Sequence, residues 1–113
     1  MRALIIPADL EQPTRVEDLT GGLAELQGIV GGYVRPLIMA ESATSMYLDE
    51  EAKLKRGIPE NPRATAILDF MGARTAILGD VIILGAPDED GHDTDISETA
   101  VGMFEATMKF VLG

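Results

Sequence analysis

Four of the chain's nine basic residues, Lys53, Lys55, Arg56 and Arg63, fall within the eleven positions of KLKRGIPENPR. The end of that stretch, NPRAT, has the form of a helix start. Asn61 carries a side chain that caps free amides, and Pro62 suits the first helical position because its missing N–H would be unpaired there anyway. A helix beginning at Pro62 aims the amides of Arg63, Ala64 and Thr65, and the positive end of its dipole, at whatever precedes it. The chemistry this predicts is anion binding. Arg63 would fork onto two oxygens of a phosphate or carboxylate, and the Thr65 hydroxyl would add a third contact. Lys53, Lys55 and Arg56 would close over the site through the Gly57–Glu60 turn, with Glu51 orienting the bases. The candidate ligand-binding set is therefore Glu51, Lys53, Lys55, Arg56, Asn61, Arg63 and Thr65. The same residues also read as scaffold, with Asn61 itself occupying the amides and the bases paired with Asp49, Glu50 and Glu51 just upstream. Spacing alone leaves both readings open.

A second polar stretch, APDEDGHDTD, offers the carboxylates of Asp88, Glu89, Asp90, Asp93 and Asp95. Placing Gly91 at the sixth position of a calcium loop puts Ala86 first and Ser97 last, so that pattern fails and the loop reads as solvated. His92, the one histidine, has no serine or cysteine arrangement around it that would make a nucleophile. Neither glycine-rich phosphate pattern is present. Glu50 and Glu51 are adjacent, so on a strand they point to opposite faces and cannot share a proton. The absence of cysteine excludes disulfides, thiolate nucleophiles and zinc sites built on thiolates. The expectation is a protein that is not an enzyme and uses no cofactor or metal.

Charge narrows the partners. Residues 53 to 63 hold four bases and one acid, +3, which leaves −13 on the rest of a chain whose net charge is −10. Such a surface repels duplex nucleic acid, whose phosphates dominate non-specific affinity. Five aromatic residues are too few for a base-stacking platform. The partners that remain are a small anionic molecule at the basic cluster, such as a nucleotide, or a host protein whose basic surface meets the acidic one. In the second case the protein would inhibit its partner or mimic nucleic acid. No apolar run approaches the roughly eighteen residues that a membrane span needs. MRALIIPADLEQP has too short an apolar stretch for a secretory signal, so the expected location is cytoplasmic and off the membrane.

The elements that must position these residues follow from periodicity. RALIIP is a short β-branched run closed by Pro7. Leu23, Leu26 and Val30 recur at helical spacing before the Gly31-Gly32 stop. YVRPLIM alternates like a strand, but Pro36 lacks a donor and predicts an edge position or a bulge. SMYL resumes extended structure. Ala64, Ile67, Leu68 and Met71 share one face of the Pro62 helix, which Gly72 ends. Val81 to Leu84 is apolar without alternation, the mark of a strand covered on both faces. Asp95 and Glu98 stand three apart, as in an acidic capping box, before the closing helix ISETAVGMFEATMKFVL, where Glu105 and Lys109 make an i,i+4 pair. The broad apolar face of that helix either packs wholly on the sheet or leaves an edge for a second copy in a homo-oligomer. The order β, α, β, β, α, β, α predicts a single domain over residues 1–113. Its class is α/β or α+β, with about three helices packed on one small mixed or antiparallel sheet.

The stretch YLDEEAKLKRGIPENPRATAIL, with LQGIVGGYV before it and LGDVIILG after it, resembles the domain of unknown function 3846 family. The residues that carry the resemblance are Gly31, Gly32, Tyr33, Glu50, Glu51, Lys53, Leu54, Pro59, Asn61, Pro62, Arg63, Ala64, Thr65, Gly79 and Asp80. It implies a small accessory protein of actinobacteria and their phages and plasmids, with no assigned activity. One departure stands out: Ala52 replaces a glycine of the family pattern after Glu51, where a left-handed turn would not suit alanine. Glu51, Lys53, Arg63 and Thr65 are polar types that a mere surface would not require, so they form an internal network or line a pocket.

Overall fold

The run from Val81 to Leu84 has no exposed residue because it is the middle strand of the protein. In the computed structural model, which describes residues 1–112, five strands form one antiparallel sheet: β1 (Arg2–Ile6), β2 (Arg15–Asp18), β3 (Val34–Met39), β4 (Thr44–Asp49) and β5 (Val81–Gly85). Their order is β2-β1-β5-β4-β3. Three helices, α1 (Leu23–Val30), α2 (Pro62–Phe70) and α3 (Glu98–Leu112), cover it, and the fold is α+β.

Alternation along the strands divides the core in two. Leu4 and Ile6 of β1, Val81 and Ile83 of β5, and Met46 and Leu48 of β4 face α2 and α3, meeting Ile67, Leu68, Ala100, Phe104 and Met108. Ala3, Ile5, Ile82 and Leu84 face the other way, onto Leu26 and Val30 of α1. A strand flanked on both sides and covered on both faces has no solvent face on which polar residues could alternate.

Pro36 lies on β3, which among the described residues pairs with β4 alone, so its missing donor falls on an edge strand as expected. The opposite edge was not expected. RVED, with all four residues exposed, pairs along β1 from Arg2↔Asp18 to Ile5↔Arg15 and turns the first strand into a hairpin. Gly31 ends α1 with φ 90°, and its N–H bonds the Gln27 carbonyl. The cap of α3 also differs from expectation. The Ser97 hydroxyl accepts the Ala100 N–H at 3.0 Å, while Asp95 instead accepts the Arg2 N–H at 2.9 Å and ties the helix entrance to β1. The five ion pairs found among the described residues do not include Glu105 with Lys109. Among the described residues no helix is long and apolar enough to cross a membrane.

Candidate functional site

Two polar seams take up much of the basic cluster. The first is at the end of β4. Asp49 is 4% exposed. One carboxylate oxygen accepts the Glu51 N–H at 2.9 Å, and the other meets Lys55 Nζ at 2.8 Å. Burial works to raise the Asp49 pKa, but the Lys55 hydrogen bond, the Glu51 amide and the Lys55 charge together hold it below the usual carboxylate range. Lys55 also reaches the Gly31 carbonyl at 3.4 Å. The second glycine of the pair has a steric role here. A Cβ on Gly32 would stand 2.6 Å from both Asp49 oxygens and from Lys55 Nζ, so only glycine leaves room for the ion pair. The turn that follows, Ala52–Leu54, is a 3-10 helix. Ala43 is the one non-glycine residue with positive φ among the described residues, so Ala52 fits without strain.

The second seam starts at Asn61, which is fully buried. Its Oδ1 caps α2 by accepting the Ala64 N–H at 3.0 Å. Its Nδ2 donates to the carbonyls of Ile6 and Gly79, both at 2.9 Å. Arg63 turns to the loop between β1 and β2, where Nη2 lies 2.6, 3.0 and 2.7 Å from the carbonyls of Pro7, Asp9 and Gln12. Burial pulls its pKa down, against the opposing charges of Asp9 and Asp80. Thr65 Oγ1 accepts the Ile77 N–H at 2.9 Å, and Asp80 accepts the Ala8 N–H at 2.8 Å. Gly79, at φ +82°, makes the turn that brings its carbonyl to Asn61. Asn61 satisfies backbone groups that would otherwise be buried unpaired where β1 leaves the sheet, and Arg63 ties down the more exposed loop beyond it.

The seven candidate residues therefore do not converge on one pocket. Asn61 occupies the Ala64 amide that the anion reading reserved for a ligand, and Arg63 and Thr65 are engaged with main chain. Glu51 and Lys55 line a shallow hollow with Gln27, Gly32 and Tyr33. Lys53 lies elsewhere, with Nζ 3.2 Å from Thr75 Oγ1, in a hollow of about 160 Å³ shared with Arg35, Glu50 and Ile77. Arg56 is exposed and belongs to none of the five ion pairs. The local pairing that the spacing also allowed holds for Lys55 with Asp49 and not for Lys53 or Arg56. Arg35 and Thr75 escape sequence reasoning because a strand register and a chain reversal bring them to Lys53, and neither has a local signature.

The acidic loop is more ordered than its composition suggests. The Gly85 N–H bonds the Thr94 carbonyl at 2.9 Å, and Thr94 Oγ1 bonds the Ala86 carbonyl at 2.8 Å. A Cβ on Gly85 would meet Thr94 Oγ1 at 2.3 Å and the Asp95 carbonyl at 2.4 Å, so glycine permits the return of the chain. Asp88 folds the tip: its Oδ1 accepts the N–H groups of Asp90 and His92, each at 2.9 Å. The Tyr47 hydroxyl donates to Asp93, and burial, with that hydrogen bond and charge, pushes the phenol up to about 12. Asp88, Asp90 and His92 offer ligand atoms within 4.8 Å of one another, but all three are exposed and Asp88 already serves two amides. Glu89 and Asp90 are exposed and outside the ion pairs.

The family model for the Domain of unknown function (DUF3846) matches residues 1–109. No curated protein and no solved structure matches the chain.

Proposed function

The chain belongs to the DUF3846 family, and we propose that it is a non-enzymatic, cytoplasmic interaction module of phage or mobile-element type. In this reading its acidic loop engages a basic surface on a host protein. The observation that carries the proposal is the loop's construction: backbone and Asp88 bonds hold the tip while Glu89 and Asp90 face solvent. A preformed loop loses less conformational freedom on binding than a mobile acidic tail. Exposed carboxylates carried on a held backbone can also stand in for a row of phosphates, whereas the chain's −10 charge turns nucleic acid itself away. The natural target is a host protein whose own site binds nucleic acid.

The test is capture of host proteins on the immobilised chain, comparing wild type with the double variant Glu89→Lys/Asp90→Lys. A discrete partner should be retained at low salt, displaced by added salt and by duplex DNA, and lost with the variant. Capture that survives both charge reversal and salt sinks the reading.

A second reading has its own support. Lys53 and Arg35, neither in an ion pair among the described residues, line the same hollow beside the Thr75 hydroxyl, together with Glu50 and with Asp49, whose charge Lys55 meets. At about 160 Å³ the space suits a phosphoryl or carboxyl group and falls short of the roughly 300 Å³ at which drug-sized ligand pockets begin. A small anion, or the phosphate end of a nucleotide, is the ligand of this reading. Its signature is a rise in melting temperature with phosphate or nucleotides that disappears in Lys53→Ala and in Arg35→Ala.

A further inference from the structure

The outer side of α3 is apolar where a solvent-facing helix would be polar. Phe110 is 82% exposed, Phe70 at the end of α2 is 63% exposed, and Met103 is 42% exposed. Met103, Ala106, Thr107 and Phe110 fall at i, i+3, i+4 and i+7, on one side of the helix. Together with Phe70 they line an open apolar depression. Beside it, Ile67, Phe70, Met103 and Thr107 help enclose a second hollow of about 240 Å³. Gly102 lies one turn before Ala106 in mid-helix, where a Cβ would meet nothing within 4 Å. Packing within the chain therefore does not require glycine there, although glycine weakens a helix.

We propose that this face seats a second copy of the chain, with the two α3 helices antiparallel about a two-fold axis near Ala106 and Thr107. The argument for a second copy is self-complementarity. The same face carries a projection, Phe110, and a hollow beside Met103 about two turns away along the helix. A two-fold axis between them places each ring against the other's hollow, with Gly102 giving it room. Charge agrees. Glu105 and Lys109 stand on one flank of the row and form no ion pair with each other. The antiparallel arrangement brings each Glu105 to the partner's Lys109. Two chains of net charge −10 repel at long range, so they can associate only where local charge nearly cancels. On this face Glu105 and Lys109 cancel and Glu41 is the one further acid lining the hollow, whereas the loop at Asp88 to Asp95 carries several carboxylates and no lysine or arginine. The proposal is independent of the acidic-loop reading.

Sedimentation of the full chain from micromolar to millimolar concentration tests it. The expected result is a reversible shift from 12.1 kDa to twice that mass. Phe110→Glu should hold the protein at the lower mass throughout, with the melting curve of the dilute, monomeric wild type, since the ring is outside the core. Glu105→Lys and Lys109→Glu should each weaken the dimer several-fold, and the two together should restore it. A wild-type monomer at every concentration overturns the proposal. So does a dimer indifferent to Phe110→Glu, or a double charge swap that stays as weak as either single change. A wild-type monomer that binds an apolar dye through this face, with binding lost in Phe110→Glu, would assign the face to a different protein partner instead.

Discussion

The seam around Asn61 and the loop around Asp88 are both built from polar side chains bonded to main chain, yet they spend those side chains in opposite directions. At the seam every donor of Asn61 and much of Arg63 is turned inward, to carbonyls of the β1–β2 loop and of Gly79. At the loop the inward work is done by backbone, by Thr94 and by Asp88, Asp93 and Asp95, which leaves Glu89 and Asp90 to solvent. A polar residue that a fold requires can thus be as specific in type as one that a ligand requires. What separates the two is the side on which the hydrogen bonds are made.

Removing seam residues should break that contrast most visibly. Asn61→Ala strands two carbonyls and one helix amide in a fully buried place, and the expected loss is about 3–5 kcal/mol, from 1–3 kcal/mol for each buried group left unpaired with partial relaxation. Urea unfolding measures it. A loss below 1 kcal/mol would mean that water replaces the side chain and that the seam is not a support. Arg63→Ala should cost about 1.5–3 kcal/mol, the worth of hydrogen bonds from a charged donor. Its particular signature is early proteolysis between Pro7 and Thr14, because the guanidinium holds that loop closed.

The corner at Asp49 sharpens the comparison through pH. Lys55 is partly exposed, so Lys55→Ala should cost only about 1 kcal/mol near neutrality, well below the cost of breaking a fully buried pair. The sign follows from the direction of the Asp49 shift. A carboxylate held below its unfolded pKa of about 3.9 contributes stability that is present above that value and lost as pH falls through the folded one. The difference in stability between wild type and Lys55→Ala should therefore be flat above about pH 5 and shrink below pH 4. A difference that persists unchanged in acid would show that Lys55 acts by packing its stem, without its charge. Gly32→Ala should reproduce the Lys55→Ala curve, since the added methyl displaces the same ion pair.

Much of the fold was legible because its signals are local. The unalternating run at Val81, the edge proline at position 36, the Gly31 stop and the Asn61-Pro62 start each follow from one residue's geometry. β2 was not legible, since RVED buries nothing and exists as a strand only through its register with β1. The two-sided coverage of the sheet was hidden as well, because alternation tells which residues share a face and not which helix covers it. The site was read less well for a related reason. Arg63 beside a helix start has the same sequence whether it faces a phosphate or three carbonyls, and carbonyls have no sequence signature. Ala8, Gly79 and Asp80 complete the seam from the far side of the chain.

The smallest expected effect on stability makes the other half of the contrast. Glu89→Gln and Asp90→Asn remove charges from exposed side chains outside the ion pairs, so each should leave the unfolding free energy within about 0.5 kcal/mol of wild type. Neutralising them also lowers the net charge, which should slightly favour the compact state. If these near-silent changes abolish capture of a basic partner while Arg63→Ala, once stably folded, retains it, then polar residues of the seam serve the fold and those of the loop serve recognition. The reverse pattern, with capture lost on Arg63→Ala and kept on Glu89→Gln/Asp90→Asn, would move recognition to the β1–β2 loop that Arg63 holds, where Leu10 is 59% exposed beside Asp9 and Glu11.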